Sequence, residues 1–438
     1  MAELQISQIS DIAAESNQAG WWHPVEAFSG SEYYVLCAVS DTAGYHKVVV
    51  VKRNPDGSLE SGECKNSDGS TEKYIDDIGH NQPSIVVDGA GYVHVFTSMH
   101  NDLLRYFRST RPGDVSELVN ATWDFPDVEW PWTYPIVGRA PDGDIYAMLR
   151  GSNRYSTGET RRPSFLYKYD LATGVWSRFA HVAENEDRAV YPDDMHVNAS
   201  GIHFIFEWSA FPAAAVRHVG EYAIIGLDGW LRNIAGTPFP MPSAQGQLAY
   251  RPLKPGEVPG SGSGYTIGIQ TAKFAFARDE TLGFITYRFR DAAYDQGDSF
   301  SKFNVKVATW NGTAWSEEEI AAVPPEFGNT SAALAATMNG TEKRVYFSVE
   351  YASSGDTVAV IVLATNAGSG WQYSVLGPAN PTLLRLGSAP AANGGDVIYV
   401  SSPYAGKVSR YYVPADYEPD IIYTQFSDLI TSLELSGG

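Results

Sequence analysis

Two histidines, a tyrosine and an arginine are the side chains in this sequence best suited to chemistry: His80, His100, Tyr134 and Arg150. An imidazole or a phenol can take a proton and return it, and a guanidinium can hold and neutralise an anion. The four types together suit acid–base work on a negatively charged substrate. Their placement is also regular. His80 and Tyr134 stand just ahead of a proline, in Gly79-His-Asn-Gln-Pro83 and Thr133-Tyr-Pro135. His100 and Arg150 close the apolar strand that follows each of them. A single histidine at a strand end is more often a hydrogen-bonded structural residue. Two at matched ends, beside a matched Tyr/Arg pair, favour a functional site.

The elements that must hold these residues come from a repeat. A turn followed by an apolar strand recurs at Tyr34, Val93, Ile145, His203, Phe284, Val345 and Val397. The spacing is 52 to 61 residues, except for one gap of 81 between His203 and Phe284. Turns such as Asp88-Gly-Ala-Gly91, Pro141-Asp-Gly-Asp144 and Asn393-Gly-Gly-Asp396 supply the positive φ that tight hairpins need. A turn containing Gly or Asn also precedes Trp123, Trp176, Trp230, Trp315 and Trp371, each expected to open the fourth strand of its unit. Units of four strands, repeated at roughly this length, predict a propeller. The expected fold is all-β, a single-domain seven-bladed β-propeller over residues 1–438. Either Leu4–Ile12 or Tyr411–Ile421 should close the ring. The long gap holds Thr237-Pro-Phe-Pro-Met-Pro242 and Pro259-Gly-Ser-Gly-Ser-Gly264, and reads as a loop overhanging one face.

In a propeller blade the first strand is innermost and the second returns beside it. The start of the first and the end of the second therefore share one rim of the central channel. That geometry gathers His80, His100, Tyr134 and Arg150 around one mouth. His23-Pro24, Asn81 and Tyr191-Pro192 occupy equivalent strand starts and are expected to contact substrate. His94, in mid-strand, reads as core.

Composition narrows the partners. The chain is 44% hydrophobic and only 19% charged, which excludes disorder and allows a large core. A net charge of -20 argues against nucleic acid or an anionic membrane surface as partner. It does not exclude an acidic sugar, because charges beyond ~8 Å are screened and a few local cations suffice. No apolar run approaches the ~20 residues of a membrane span. Cys37 sits in the apolar run Tyr33-Tyr-Val-Leu-Cys37 and reads as a buried thiol; with Cys64 it forms neither a zinc motif nor a disulfide scaffold. The two adjacent acids Asp193-Asp194 invite a structural calcium ion. Met1-Ala-Glu-Leu4 begins no signal peptide, but five Asn-x-Ser/Thr sequons, at Asn120, Asn198, Asn311, Asn329 and Asn339, favour a secreted protein lacking its leader. A monomer is expected.

Residues 79–210 resemble a known group. Gly79-His-Asn-Gln-Pro83, Asp88-Gly-Ala-Gly-Tyr-Val-His94, Met99-His-Asn-Asp-Leu-Leu-Arg-Tyr106, Thr133-Tyr-Pro135 and Leu149-Arg-Gly151 are similar to the propeller polysaccharide lyases with BNR-like repeats. That group includes ulvan lyases and the lyases that remove L-rhamnose from D-glucuronate in gum arabic-type arabinogalactan. The resemblance implies a catalytic set of two histidines, a tyrosine and an arginine, which falls on His80, His100, Tyr134 and Arg150. It implies β-elimination on a uronate, a reaction for which no cofactor is required. The fourth unit departs from the pattern, with Glu207-Trp208 where an arginine-bearing strand end is expected. Trp208 there would stack on a sugar, and Glu207 would repel a sulfate. The reading is therefore an exo-acting lyase of rhamnose-α-1,4-glucuronate termini, with an endo-acting ulvan lyase as the alternative. Two rivals come from other classes. A propeller sialidase would show Ser-x-Asp-x-Gly-x-x-Trp turns, absent from the sequence, and two positioned carboxylates. A non-catalytic carbohydrate-binding propeller would repeat one pocket from unit to unit, whereas these strand ends differ.

Overall fold

The computed structural model describes residues 3–10, 23–75, 83–97, 99–152, 160–212, 218–255, 267–290, 303–322, 330–353, 356–379, 385–390, 394–402 and 407–436. His80 and Asn81 lie outside them, as do Trp21 and Trp22.

The described strands sort into seven four-stranded units, each an antiparallel meander running outward from the channel. The innermost strands are Val25–Phe28, Ser84–Val87, Trp132–Arg139, Arg188–Asn198, Gly268–Phe276, Thr330–Asn339 and Arg385–Pro390. Each packs beside the next in that order, and the last packs beside the first. This is the cyclic arrangement of a β-propeller. Its ring is closed by both termini, since Gln5–Ser10 pairs antiparallel with Lys407–Val413 as the outermost strand of the last blade. The α-helix Phe426–Ser436 lays Phe426, Leu429, Ile430 and Leu433 on the core between the fifth and sixth blades.

Blades stacked face to face explain why the strands read as nearly continuous apolar runs. Ile145–Gly151 is buried at every position. Met148 packs with residues of the fourth blade, while Ala147 and Leu149 pack with residues of the second. Each such side chain removed from water contributes ~1.5–3 kcal/mol, so stacking supplies most of the stability. The turns abut as well. A Cβ on Gly89 would lie 2.6 Å from the Gly143 Cα, so both must be glycine for the second and third blades to touch. His94 is core, held between Asp88 and Tyr106. Cys37 and Cys64 are buried thiols that form no disulfide with each other.

Two expectations need correction. Trp176 and Trp315 sit in the fourth strands of their blades, but Trp123 follows its fourth strand (Leu118–Asn120) and is 86% exposed on a short 3-10 turn. The described part of the long insertion does not simply overhang. It returns as Ala249–Arg251 to pair with Val219–Ile225 of the fourth blade.

A buried carboxyl anchors that return. Glu221 accepts the N–H of Gly246, whose φ is +85°. Burial pushes the carboxyl up to about 8, against the opposing pull of the Gly246, Leu248 and Gln247 amides. A carboxyl that holds its proton more tightly folded than unfolded lends stability that is complete below its ordinary value of 4.5 and is lost as pH rises through about 8. Glu221→Gln should therefore match the wild-type Tm at about pH 5 and exceed it at about pH 9. Parallel Tm–pH curves would show that Glu221 ionises freely.

Candidate active site

Arg150 is the centre of the site. It lies at the rim end of Ile145–Gly151 and is 1% exposed. Its guanidinium carbon is 4.4 Å from the Tyr134 ring centroid and 4.7 Å from that of Tyr191. The two rings approach to 5.3 Å at 36°. None of the three guanidinium nitrogens has a hydrogen-bond partner among the described residues. Aromatic faces return about 2 kcal/mol to a desolvated cation. A buried charge without a counter-ion costs more than that. A planar anion in the slot between the two rings, such as a carboxylate, would take the forked N–H donors.

Tyr134 reaches this slot through an irregularity. Strand alternation alone would turn it away from Arg150, since Thr133 is the residue in register with Arg150. The register shifts between Thr133 and Ile136, and Tyr134 takes φ +57°. A left-handed conformation costs a bulky residue on the order of 1–2 kcal/mol. Here it brings the phenol onto the same side as the guanidinium.

His100 arrives from elsewhere than expected. The second strand of its blade ends at Phe96. His100 begins a separate strand, His100–Asp102, that crosses to the third blade and pairs with Trp132–Arg139. His100 is in register with Thr133, which is in turn in register with Arg150. The three residues form one row across the sheet, with His100 half-buried. Tyr134, Arg150, Tyr191 and His100 are thereby brought to one rim.

The other expected contacts divide. His23 lies within the channel, donating to the Val137 carbonyl (2.5 Å) and contacting the Asp194 carboxylate. Asp194, with Lys273 at 3.7 Å, stays below the usual carboxylate range: burial raises it, but Lys273 and His23 outweigh burial. The Asp193 carbonyl accepts the Lys273 ammonium at 2.8 Å. His23 is thus tied into the channel wall rather than into the slot. Trp208 must be corrected: it is fully buried against Phe206 in the core between the third and fourth blades. Its neighbour Glu207, buried and in register with Tyr191, takes the face at the site. The returning insertion sets Tyr250 beside it, where burial and the charges of Glu207 and Asp193 push the phenol well above its ordinary value. Neither Thr133 nor Tyr250 was visible as a site residue in the sequence. The Thr-Tyr-Pro order was the one available signal.

Comparison with known proteins agrees with this architecture. The profile of the BNR repeat-containing family matches residues 32–323. No curated protein matches the chain. Among solved structures, an ulvan lyase of polysaccharide lyase family PL25, bound to -[GlcA(1-4)Rha3S]-, superposes with a TM-score of 0.64 at 13% identity, over 98% of this chain and 99% of that one. The polysaccharide lyase Uly1 superposes with a TM-score of 0.59 at 12% identity, over 94% of this chain and 99% of that one. At these identities the likeness is one of fold.

Proposed function

The chain belongs to the BNR repeat-containing family, and from that premise we propose that it is a polysaccharide lyase that breaks a glycosidic bond to a uronic acid by β-elimination. One observation carries the reading: the buried Arg150 guanidinium, flanked by two tyrosine rings, with no acceptor among the described residues. A uronate carboxylate in that slot would supply the missing acceptor.

Elimination removes the proton on C5 of the uronate and expels the sugar oxygen on C4. The adjacent carboxylate already carries charge, so the C5 proton is only weakly acidic. Neutralising that carboxylate stabilises the enolate-like intermediate, which is the role of Arg150. In glucuronate the C5 proton and the C4 oxygen lie on the same face, so one residue can act as base and then as acid. Tyr134 or His100 fills that role, with His80 orienting or neutralising. The Tyr134 ring contacts the guanidinium that would hold the carboxylate, which makes its phenol a candidate for the proton transfer at C5.

For the substrate we favour rhamnose linked α-1,4 to glucuronate at unsulfated arabinogalactan termini, attacked from the chain end by a secreted monomer. Support comes from Glu207, a buried acid in register with Tyr191 that opposes a sulfate, and from the insertion that stacks Tyr250 against the fourth blade beside it. Trp208 no longer contributes, because its ring is enclosed. The related fold that binds a sulfated rhamnose-glucuronate unit favours a second reading, an endo-acting ulvan lyase. Incubation with gum arabic should release rhamnose and leave a C4–C5 double bond that absorbs in the ultraviolet. Rapid depolymerisation of ulvan without rhamnose from gum arabic would overturn the substrate choice. Saturated products from either polymer would overturn elimination itself.

A further inference from the structure

Within the proposed elimination site, on whose reading this rests, we propose that Thr133 is the positioning residue that fixes His100 relative to Tyr134 and Arg150. The crossing strand His100–Asp102 is three residues long and meets the third blade at two registered pairs, Thr133 with His100 and Trp132 with Asp102. So short a strand is weakly held by its own ladder. A side-chain clamp adds to that ladder. The Asn101 backbone N–H donates to the Thr133 hydroxyl at 2.8 Å. The Ser152 hydroxyl donates to the Asn101 side-chain carbonyl at 3.1 Å, and the Ser152 N–H donates to the Pro131 carbonyl at 3.1 Å. Three chain segments from two blades meet at this point.

The clamp also sets the local geometry. Asn101 takes φ +52°, and a register irregularity lies between Trp132 and Thr133. Asparagine tolerates this left-handed conformation better than most residues. The bulge leaves the Asn101 N–H outside the regular ladder, where a strand residue with an aliphatic side chain offers it nothing. Thr133 is 1% exposed, so its hydroxyl meets the Asn101 N–H from inside the blade, while Asn101 itself is exposed. The residue lies between His100 and Arg150 in the row, and the left-handed Tyr134 follows it directly. A small shift of the crossing strand would displace the imidazole and leave the guanidinium where it is.

Thr133→Val keeps the shape and removes the hydroxyl; Thr133→Ser keeps the hydroxyl and loses a methyl group. With gum arabic or ulvan, whichever the wild type turns over, Thr133→Val should lower kcat about tenfold or more at a KM within about twofold, the signature of lost positioning. Thr133→Ser should restore kcat to within about threefold. Hydrogen exchange at the Asn101 amide gives a readout independent of activity: it should be protected in wild type and Thr133→Ser, and exchange at least about tenfold faster in Thr133→Val. Wild-type kcat in Thr133→Val, a loss of kcat that serine does not rescue, or an unchanged Asn101 exchange rate would each overturn the proposal. A wild type that forms no unsaturated product from either polymer would instead fail the elimination reading, while the exchange measurement still judges the clamp.

Discussion

Arg150→Ala should lower kcat/KM for formation of unsaturated product by roughly 10²–10³-fold, on the scale of about 3–4 kcal/mol for a lost charge-stabilising donor. Arg150→Lys should rescue little, because a point charge cannot reproduce the fork that matches a carboxylate or stack flat between two rings. The same site makes an opposite prediction for stability. A guanidinium that is 1% exposed and has no acceptor among the described residues burdens the folded state. Arg150→Met fills the slot between Tyr134 and Tyr191 with apolar volume and should raise stability by about 1–3 kcal/mol, read as a higher Tm. Activity and stability should thus move in opposite directions at one residue. A variant that loses both would show that Arg150 serves the protein's own architecture, and the carboxylate reading would fall with it.

Tyr134→Phe should lower kcat by about 10²–10⁴-fold with KM close to wild type. The substitution removes one oxygen and leaves the ring that contacts Arg150 and Tyr191. It also leaves the left-handed backbone unchanged, so folding should be little affected. A loss confined to kcat identifies the hydroxyl as the group that moves the proton. The competing assignment gives a different pattern: if His100 is the base, Tyr134→Phe should cost less than about tenfold and His100→Gln should carry the large loss. Comparing the two variants under single-turnover conditions separates the assignments, since product release then drops out of the measured rate.

The chain itself determines most of the architecture. Apolar strands, hairpin turns built on Asp-Gly and Asn-Gly, and their recurrence at 52 to 61 residues in all but one gap leave little besides a propeller. The recurring proline directly after Tyr134 and Tyr191 marks the innermost strands. Once strand order is known, Tyr134, Tyr191 and Arg150 must share a rim, because starts of first strands and ends of second strands meet there. Local chemistry specifies all of this, so it can be read residue by residue.

What remained was decided between blades. Glu207 and Trp208 are adjacent in one strand, so alternation requires that they face opposite neighbours, but not which faces which. Packing settled it, enclosing the larger apolar ring against Phe206 and leaving the acid beside Tyr191's position. Trp123 reads like Trp176, yet its blade's fourth strand ends before it, and the indole is left exposed. The route of His100 into the third blade depends on a hydroxyl at Thr133 and a left-handed Asn101, two residues 32 positions apart in the sequence. The left-handed φ of Tyr134 has no sequence signature at all, because an isolated tyrosine avoids that region. It is sustained by the register on either side and by the rings packed around Arg150, and those exist only when the third and fourth blades are in contact.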